Sequence, residues 1–207
     1  MKYTSITAVA AVTIMSSVAI AQSSAPLLAF PRSAGFAAGV SSFGARSTNA
    51  GGGEFSYKGS IILGGRFDQP LSRRTGLLLG LSVAPLSQQR GKGGGSVVLS
   101  EKLMIAIADA AIGFRFKPIA PVFFSGGGGL TYATKAAANS ATGSVSEPHV
   151  LLGIGFDAKS GTRWNVRSVF TNRFVMVGDD SDLNTTSESM AYDWTFEVGG
   201  RYHFGSR

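Results

Sequence analysis

The sequence has no cysteine, which excludes a disulfide framework and a thiolate metal site. After the first twenty or so residues it has no unbroken apolar run of the ~18 residues that a membrane-spanning helix needs. Charged residues make up 15% of the chain, against roughly 25% in an ordinary soluble domain. Only two histidines are present, His149 and His203. The strand pattern described below places them at opposite ends, which excludes a shared metal site. Lys and Arg form no run longer than Arg73-Arg74. The net charge of +7 is therefore scattered, and no nucleic-acid-binding patch is implied.

Glycine is what the chain has in excess, with 28 residues among 207. Such a share suits loops, and strands whose side chains must leave room for others, rather than a helical bundle. The length suits one domain.

Residues 1–21 have the layout of a cleaved signal peptide. Lys2 supplies the positive start, Ile6 to Ile20 the apolar core, and Ala19-Ile20-Ala21 the small-residue cleavage site before Gln22. No cysteine follows to carry a lipid anchor. The expectation is an exported chain with one domain over residues 22–207.

That domain alternates apolar and polar residues with period 2 from end to end. At the C-terminus Tyr192, Trp194, Phe196, Val198, Tyr202 and Phe204 share one face, and Asp193, Thr195, Glu197, Arg201 and His203 the other. The preceding segment sets Trp164, Val166, Phe170, Phe174 and Met176 against Asn165, Arg167, Thr171 and Arg173. Earlier segments repeat the rhythm: Phe55, Tyr57, Ile61, Leu63 and Phe67 against the inward Ser56, Lys58, Ser60 and Arg66; Leu77 to Val83; Ala106 to Phe116; Val122 to Tyr132; Val150 to Phe156. The faintest strand spans Ala34 to Phe43. These are eight strands. Short turns near Asp68–Arg74, Lys117–Pro121 and Ala158–Thr162 alternate with longer polar segments near Ala45–Gly53, Ser87–Ser96, Lys135–Glu147 and Gly178–Met190. The stretch from Val97 to Phe116 is long for one strand, so a bulge or an extension above the membrane is expected there.

Side-chain volume decides which face points out. The interior of a closed eight-stranded barrel is only wide enough for side chains or one small ligand. The rings of Trp164, Phe170, Phe174, Trp194, Phe196, Tyr202 and Phe204 come from two strands alone and overfill it. Turned outward they meet lipid, and glycine, serine and paired charges fill the middle. Aromatic residues also gather toward both strand ends, as interfacial girdles do. The fold class is an all-β, eight-stranded, antiparallel up-and-down transmembrane barrel.

With its leader, eight alternating strands and the closing Tyr202-His203-Phe204, the chain resembles the small outer-membrane β-barrel family that includes OmpA-like and OmpX-like barrels. The resemblance covers the whole domain and is architectural. It implies residence in the outer membrane, contact with lipid and lipopolysaccharide, and a monomer. It also implies recognition of the aromatic end, Tyr202 and Phe204, by the barrel-assembly machinery. Gly205, Ser206 and Arg207 follow that end, where the family's signal stops at the aromatic residue.

The interior face supplies the candidate site, a polar network of Asp109, Arg115, Asp157, Arg167, Arg173, Asp193, Glu197 and Arg201. Counting back from the last long loop puts Arg173 opposite Asp193, and Arg167 diagonal to Glu197 and Arg201. Such a network is expected to be structural, since buried charges must be paired. An ion path or gate is the functional alternative. His149 near an outer loop, with Ser146 and Glu147 beside it, matches no hydrolase motif. Gly126 to Gly129 lacks the Lys-Ser/Thr and the helix of a phosphate loop. Asp179, Asp180 and Asp182 lack the rest of a calcium loop. Asn184-Thr185-Thr186 is a chance match to a glycosylation acceptor. No catalytic residue, cofactor or metal is expected. The expected role is a non-enzymatic barrel with a largely filled lumen that contributes to the envelope and displays four loops, with an extracellular ligand as a possible loop partner. The alternatives are a narrow channel for ions or small solutes and, third, a lipid-modifying hydrolase.

Overall fold

The computed structural model describes residues 31–48, 54–93, 96–117, 120–134, 144–159, 163–177, 186–187 and 190–204. The expected signal peptide, the three-residue tail, the acidic triplet Asp179, Asp180 and Asp182, and Asn184-Thr185 lie outside the described residues. The strands are β1 (Ser33–Ser42), β2 (Ala45–Thr48), β3 (Glu54–Tyr57), β4 (Ser60–Pro70), β5 (Thr75–Gly93), β6 (Ser96–Phe114), β7 (Val122–Thr134), β8 (Ser144–Lys159), β9 (Trp164–Met176), β10 (Thr186–Ser187) and β11 (Met190–His203).

Eight of them close a barrel. Each of β4 to β8 pairs antiparallel with the next, β9 pairs with β11, and β1 pairs with both β11 and β4. The short strands β2, β3 and β10 form a ribbon at the long-loop end, in the order β10-β2-β3-β5. Closure matters physically because no strand edge is then left to seek partners in lipid.

Local chemistry sets the turns. Pro70 ends β4, and the Ser72 hydroxyl accepts from the backbone N–H of Arg74 and of Thr75, each at 3.1 Å, holding a tight side-chain turn. The β5–β6 hairpin is longer than the sequence pattern indicates, with 19 residues in each strand. Much of the loop expected over Ser87–Ser96 is strand. Register shifts fall between Ala84 and Ser87 and between Gly91 and Lys92. Pro85 lies in the first, where its missing N–H costs no ladder bond. Bulge and extension therefore occur together.

The two faces fall as volume requires. The outside is apolar: Phe36 is 70% exposed, Leu81 61% and Leu152 57%, and Ile61, Ile112, Phe170 and Tyr192 are exposed too. Rings pair along this surface, Phe174 edge-on to Tyr192 with centroids 5.4 Å apart and Trp164 edge-on to Tyr202 at 5.3 Å. One ring departs from the sequence pattern. Tyr57 does not share the outer face with Ile61 and Leu63; it is buried and its ring packs against Phe43. The cause is the break at Lys58-Gly59 between β3 and β4, which shifts the alternation by one residue. Lys58, expected inside, is exposed for the same reason.

The interior is also less uniformly polar than expected. Toward the long loops Phe43, Tyr57, Ile62, Ala84, Leu103, Ile105, Ile107 and Ala133 form a buried apolar cluster. Below it lie the charges.

Candidate functional site

The polar interior depends on which strands carry small residues inward. Along β1 the inward positions are Ser33, Gly35, Ala37, Gly39 and Ser41. Side chains from its two neighbours, β4 and β11, therefore meet across it. Arg66 on β4 forms an ion pair with Glu197 on β11, its Nε donating to Oε2 at 3.1 Å. Arg201 on β11 donates through Nη1 to Asp68 Oδ1 on β4 at 2.6 Å. On β7, Gly129 plays the same part. A Cβ there would lie 2.8 Å from His149 Nε2, and that nitrogen crosses the strand to reach Asp109 Oδ1 at 2.8 Å.

Two charged clusters result. Near the short turns, Asp157 is gripped by Arg167, whose Nε and Nη2 reach Oδ1 and Oδ2 at 2.5 and 2.8 Å, and it also accepts from Arg115 Nη2. Arg167 Nη1 turns to Asp68 Oδ2 at 2.8 Å, and the Ser33 hydroxyl donates to the same oxygen at 3.1 Å. The Phe123 ring packs against two of these cations, 4.6 Å from the Arg167 guanidinium carbon and 5.1 Å from that of Arg115. This is cation–π geometry. Gly155 makes room for that ring, since a Cβ at Gly155 would collide with it.

Higher in the barrel, Arg173 donates to Asp109 through Nε at 3.2 Å and Nη2 at 2.5 Å, and through Nη1 to the Thr195 hydroxyl at 3.1 Å. The other His149 nitrogen lies 3.2 Å from the Thr131 hydroxyl. Between the clusters is a cavity of about 60 Å³ lined by Arg66, Asp109, Ser125, Thr171, Arg173 and Glu197, among others. That is room for a few waters, each needing roughly 10–15 Å³ on this measure.

The structure places the eight residues named from the sequence on the interior face, and the strand register puts Arg173 opposite Asp193. The partners differ. Arg173 pairs with Asp109, while Asp193 accepts from the backbone N–H of Gly44 at 3.0 Å. Arg167 pairs with Asp157 and Asp68, while Glu197 takes Arg66 and also accepts from Ser82 at 3.4 Å. The reason is reach. An arginine spans the interior and finds carboxylates on strands that are not its neighbours, as well as those beside it. Sequence reasoning placed Arg66 inward but omitted it, Asp68 and Phe123 from the network. Asp68 was readable from alternation, two residues after Arg66. Phe123 was not, because its neighbours Val122 and Phe124 are apolar as well.

His149 does not stand at an outer loop beside Ser146. It is buried in the lumen, and Ser146 points to the other face. At the short-turn end Tyr202 accepts from Arg163 Nη1 at 3.0 Å and packs edge-on against Phe204 at 5.5 Å. The backbone N–H of Phe204 donates to the Arg32 carbonyl at 2.9 Å, so this aromatic end is tied to the start of β1.

No protein-family model and no curated protein sequence matches the chain. Solved structures do. The outer membrane protein AlkL, determined in DMPC lipid bilayers, superposes with a TM-score of 0.54 at 14% identity, over 89% of this chain and 95% of that one. OprG of Pseudomonas aeruginosa, also an outer membrane protein, superposes with a TM-score of 0.51 at 16% identity, over 87% and 98%. A closed barrel with an apolar exterior and charges held inside is the arrangement of a barrel that spans a membrane. The chain has the fold of the small eight-stranded outer-membrane β-barrels, and its apolar belt fits it to an outer membrane.

Proposed function

We propose that the protein is a non-enzymatic outer-membrane barrel whose lumen is closed to bulk diffusion, and which serves the envelope as a structural element that displays its long loops. The observation that supports this reading is how the interior is filled. Ion pairs span it at mid-height, and the apolar cluster around Phe43, Ile105 and Ile107 caps it toward the loops. The cavity among the charges, about 60 Å³, has room for a few waters only. Its partners under this reading are lipid and lipopolysaccharide along the wall, the barrel-assembly machinery at Tyr202 and Phe204, and an extracellular ligand at the loops, with the barrel acting as a monomer.

Planar-bilayer recording of the refolded protein tests the closure. The expected result is a silent bilayer, and steady discrete openings would overturn it. The charge-lined cavity favours a second reading, a narrow ion path gated at Arg66 and Glu197. In that case Glu197→Gln raises the frequency of openings. A silent variant excludes the gate.

A further inference from the structure

The described charges are sorted by position. Six carboxylates, those of Asp68, Asp109, Glu147, Asp157, Asp193 and Glu197, lie on the interior face. Five arginines join them there: Arg66, Arg115, Arg167, Arg173 and Arg201. The interior is thus close to neutral, and the excess positive charge sits elsewhere.

Much of it sits at one end. Arg32 precedes β1, Arg73 and Arg74 occupy the β4–β5 turn, Lys117 follows β6 and Arg163 precedes β9. All five are exposed, and among the described residues none of them forms an ion pair. Only neutral partners hold them in place: Arg32 Nε donates to Gln69 at 3.0 Å, and Arg163 donates to the Tyr202 hydroxyl. Every corner of the short-turn end presents a cation, and no described acid faces outward beside it.

We propose that this rim is a docking surface for anionic phospholipid headgroups. Three features of the rim point there. The cations stand directly beyond the ring girdle of Phe116, Trp164, Tyr202 and Phe204, at the depth where headgroups lie. The Arg163 guanidinium is fixed at that girdle by Tyr202, so it meets a phosphate already oriented, and arginine engages phosphate oxygens in pairs. The five cations are spread around the circumference rather than converging on one point, which suits many separate headgroups and not one compact anion. The short turns are the periplasmic side of such barrels, so the surface addressed is the phospholipid leaflet there.

The two tryptophans supply the test, one at each end of the barrel. Trp164 adjoins the rim, and Trp194 lies eight residues up β11 from Tyr202, roughly 26 Å along the strand. Trp194→Phe leaves the first as the sole tryptophan reporter, and Trp164→Phe leaves the second. Each protein is refolded into phosphatidylcholine vesicles containing brominated phosphatidylglycerol or brominated phosphatidylcholine, and quenching gives the relative association of the two lipids. At Trp164 the anionic lipid is expected to be favoured by about fivefold for each cation engaged. Raising the salt from low to physiological strength is expected to erode that preference. Substituting Arg32, Arg73, Arg74, Lys117 and Arg163 together by Gln is expected to abolish it while gel mobility still reports a folded barrel. Trp194 is expected to show no preference. Equal quenching by both lipids at Trp164, a preference indifferent to salt, or one as strong at Trp194 would each overturn the proposal. So would loss of the preference to inorganic phosphate at matched ionic strength, because the rim would then be a site for free phosphate.

Discussion

Asp157 is the point at which the charged interior is most open to a quantitative test. Its carboxylate is 2% exposed and holds two guanidinium groups, Arg167 through a two-pronged contact and Arg115 through one. Around it Arg115, Arg167 and Arg201 share two carboxylates, the second being Asp68. Asp157→Asn keeps the volume and one acceptor oxygen but removes the charge, so three cations must then share Asp68. Breaking a buried pair in this way costs about 3–5 kcal/mol, and the retained amide oxygen puts the expected loss near the lower limit. Urea unfolding in lipid vesicles, followed by tryptophan emission and by heat-dependent gel mobility, measures it. Arg115→Met in the same chain removes one of the orphaned cations and is expected to restore part of the loss, with a coupling of at least ~1 kcal/mol. A single-variant loss below about 1 kcal/mol, or strictly additive effects, would show that water rather than Asp157 satisfies these arginines.

Other substitutions probe the remaining layers. Phe123→Ala removes the ring that Arg115 and Arg167 pack against and is expected to cost about 3–5 kcal/mol in the same unfolding assay. Gly155→Ala pushes a methyl group into that ring and should destabilise by roughly 1–3 kcal/mol; Phe123→Leu in the same chain should relieve much of it. On the outer face, Leu152→Arg puts a charge into lipid and is expected to cost about 2–4 kcal/mol if it lies at the bilayer midplane, whereas a substitution at exposed Leu71, in a short turn, should be close to neutral.

How much of this the sequence discloses depends on range. Alternation is a property of neighbouring residues, so the outward rows such as Trp164, Val166 and Phe170 and the inward rows such as Asn165, Arg167 and Thr171 could be assigned from the chain itself. The assignment failed at Tyr57 because a two-residue break at Lys58-Gly59 is invisible to a rule that assumes an unbroken strand. Partner choice failed for a different reason. Counting across a hairpin finds only adjacent strands, whereas Arg66 meets Glu197 across 131 residues and Arg167 meets Asp68 across 99. Yet Asp157 and Arg167 lie directly opposite in the β8–β9 register. Hairpin counting across the short turn between β8 and β9 reaches that pair. The apolar cap toward the loops escaped notice because Leu103, Ile105 and Ile107 alternate with Met104 and Ala106, so neither face of that segment is plainly polar.

The small inward residues of β1 have a consequence for how the molecule comes together. The strand at the start of the described chain and the strand at its end meet along a single seam, and two ionic straps, from Arg66 to Glu197 and from Arg201 to Asp68, are fastened over the top of it. Neither strap can exist in a half-built sheet, because its ends are 131 and 133 positions apart in sequence and draw close only when the cylinder shuts. The act of shutting and the neutralising of these charges are thus one event. A partly assembled chain carries the penalty of bare ions without their reward, which leaves it little reason to linger half open.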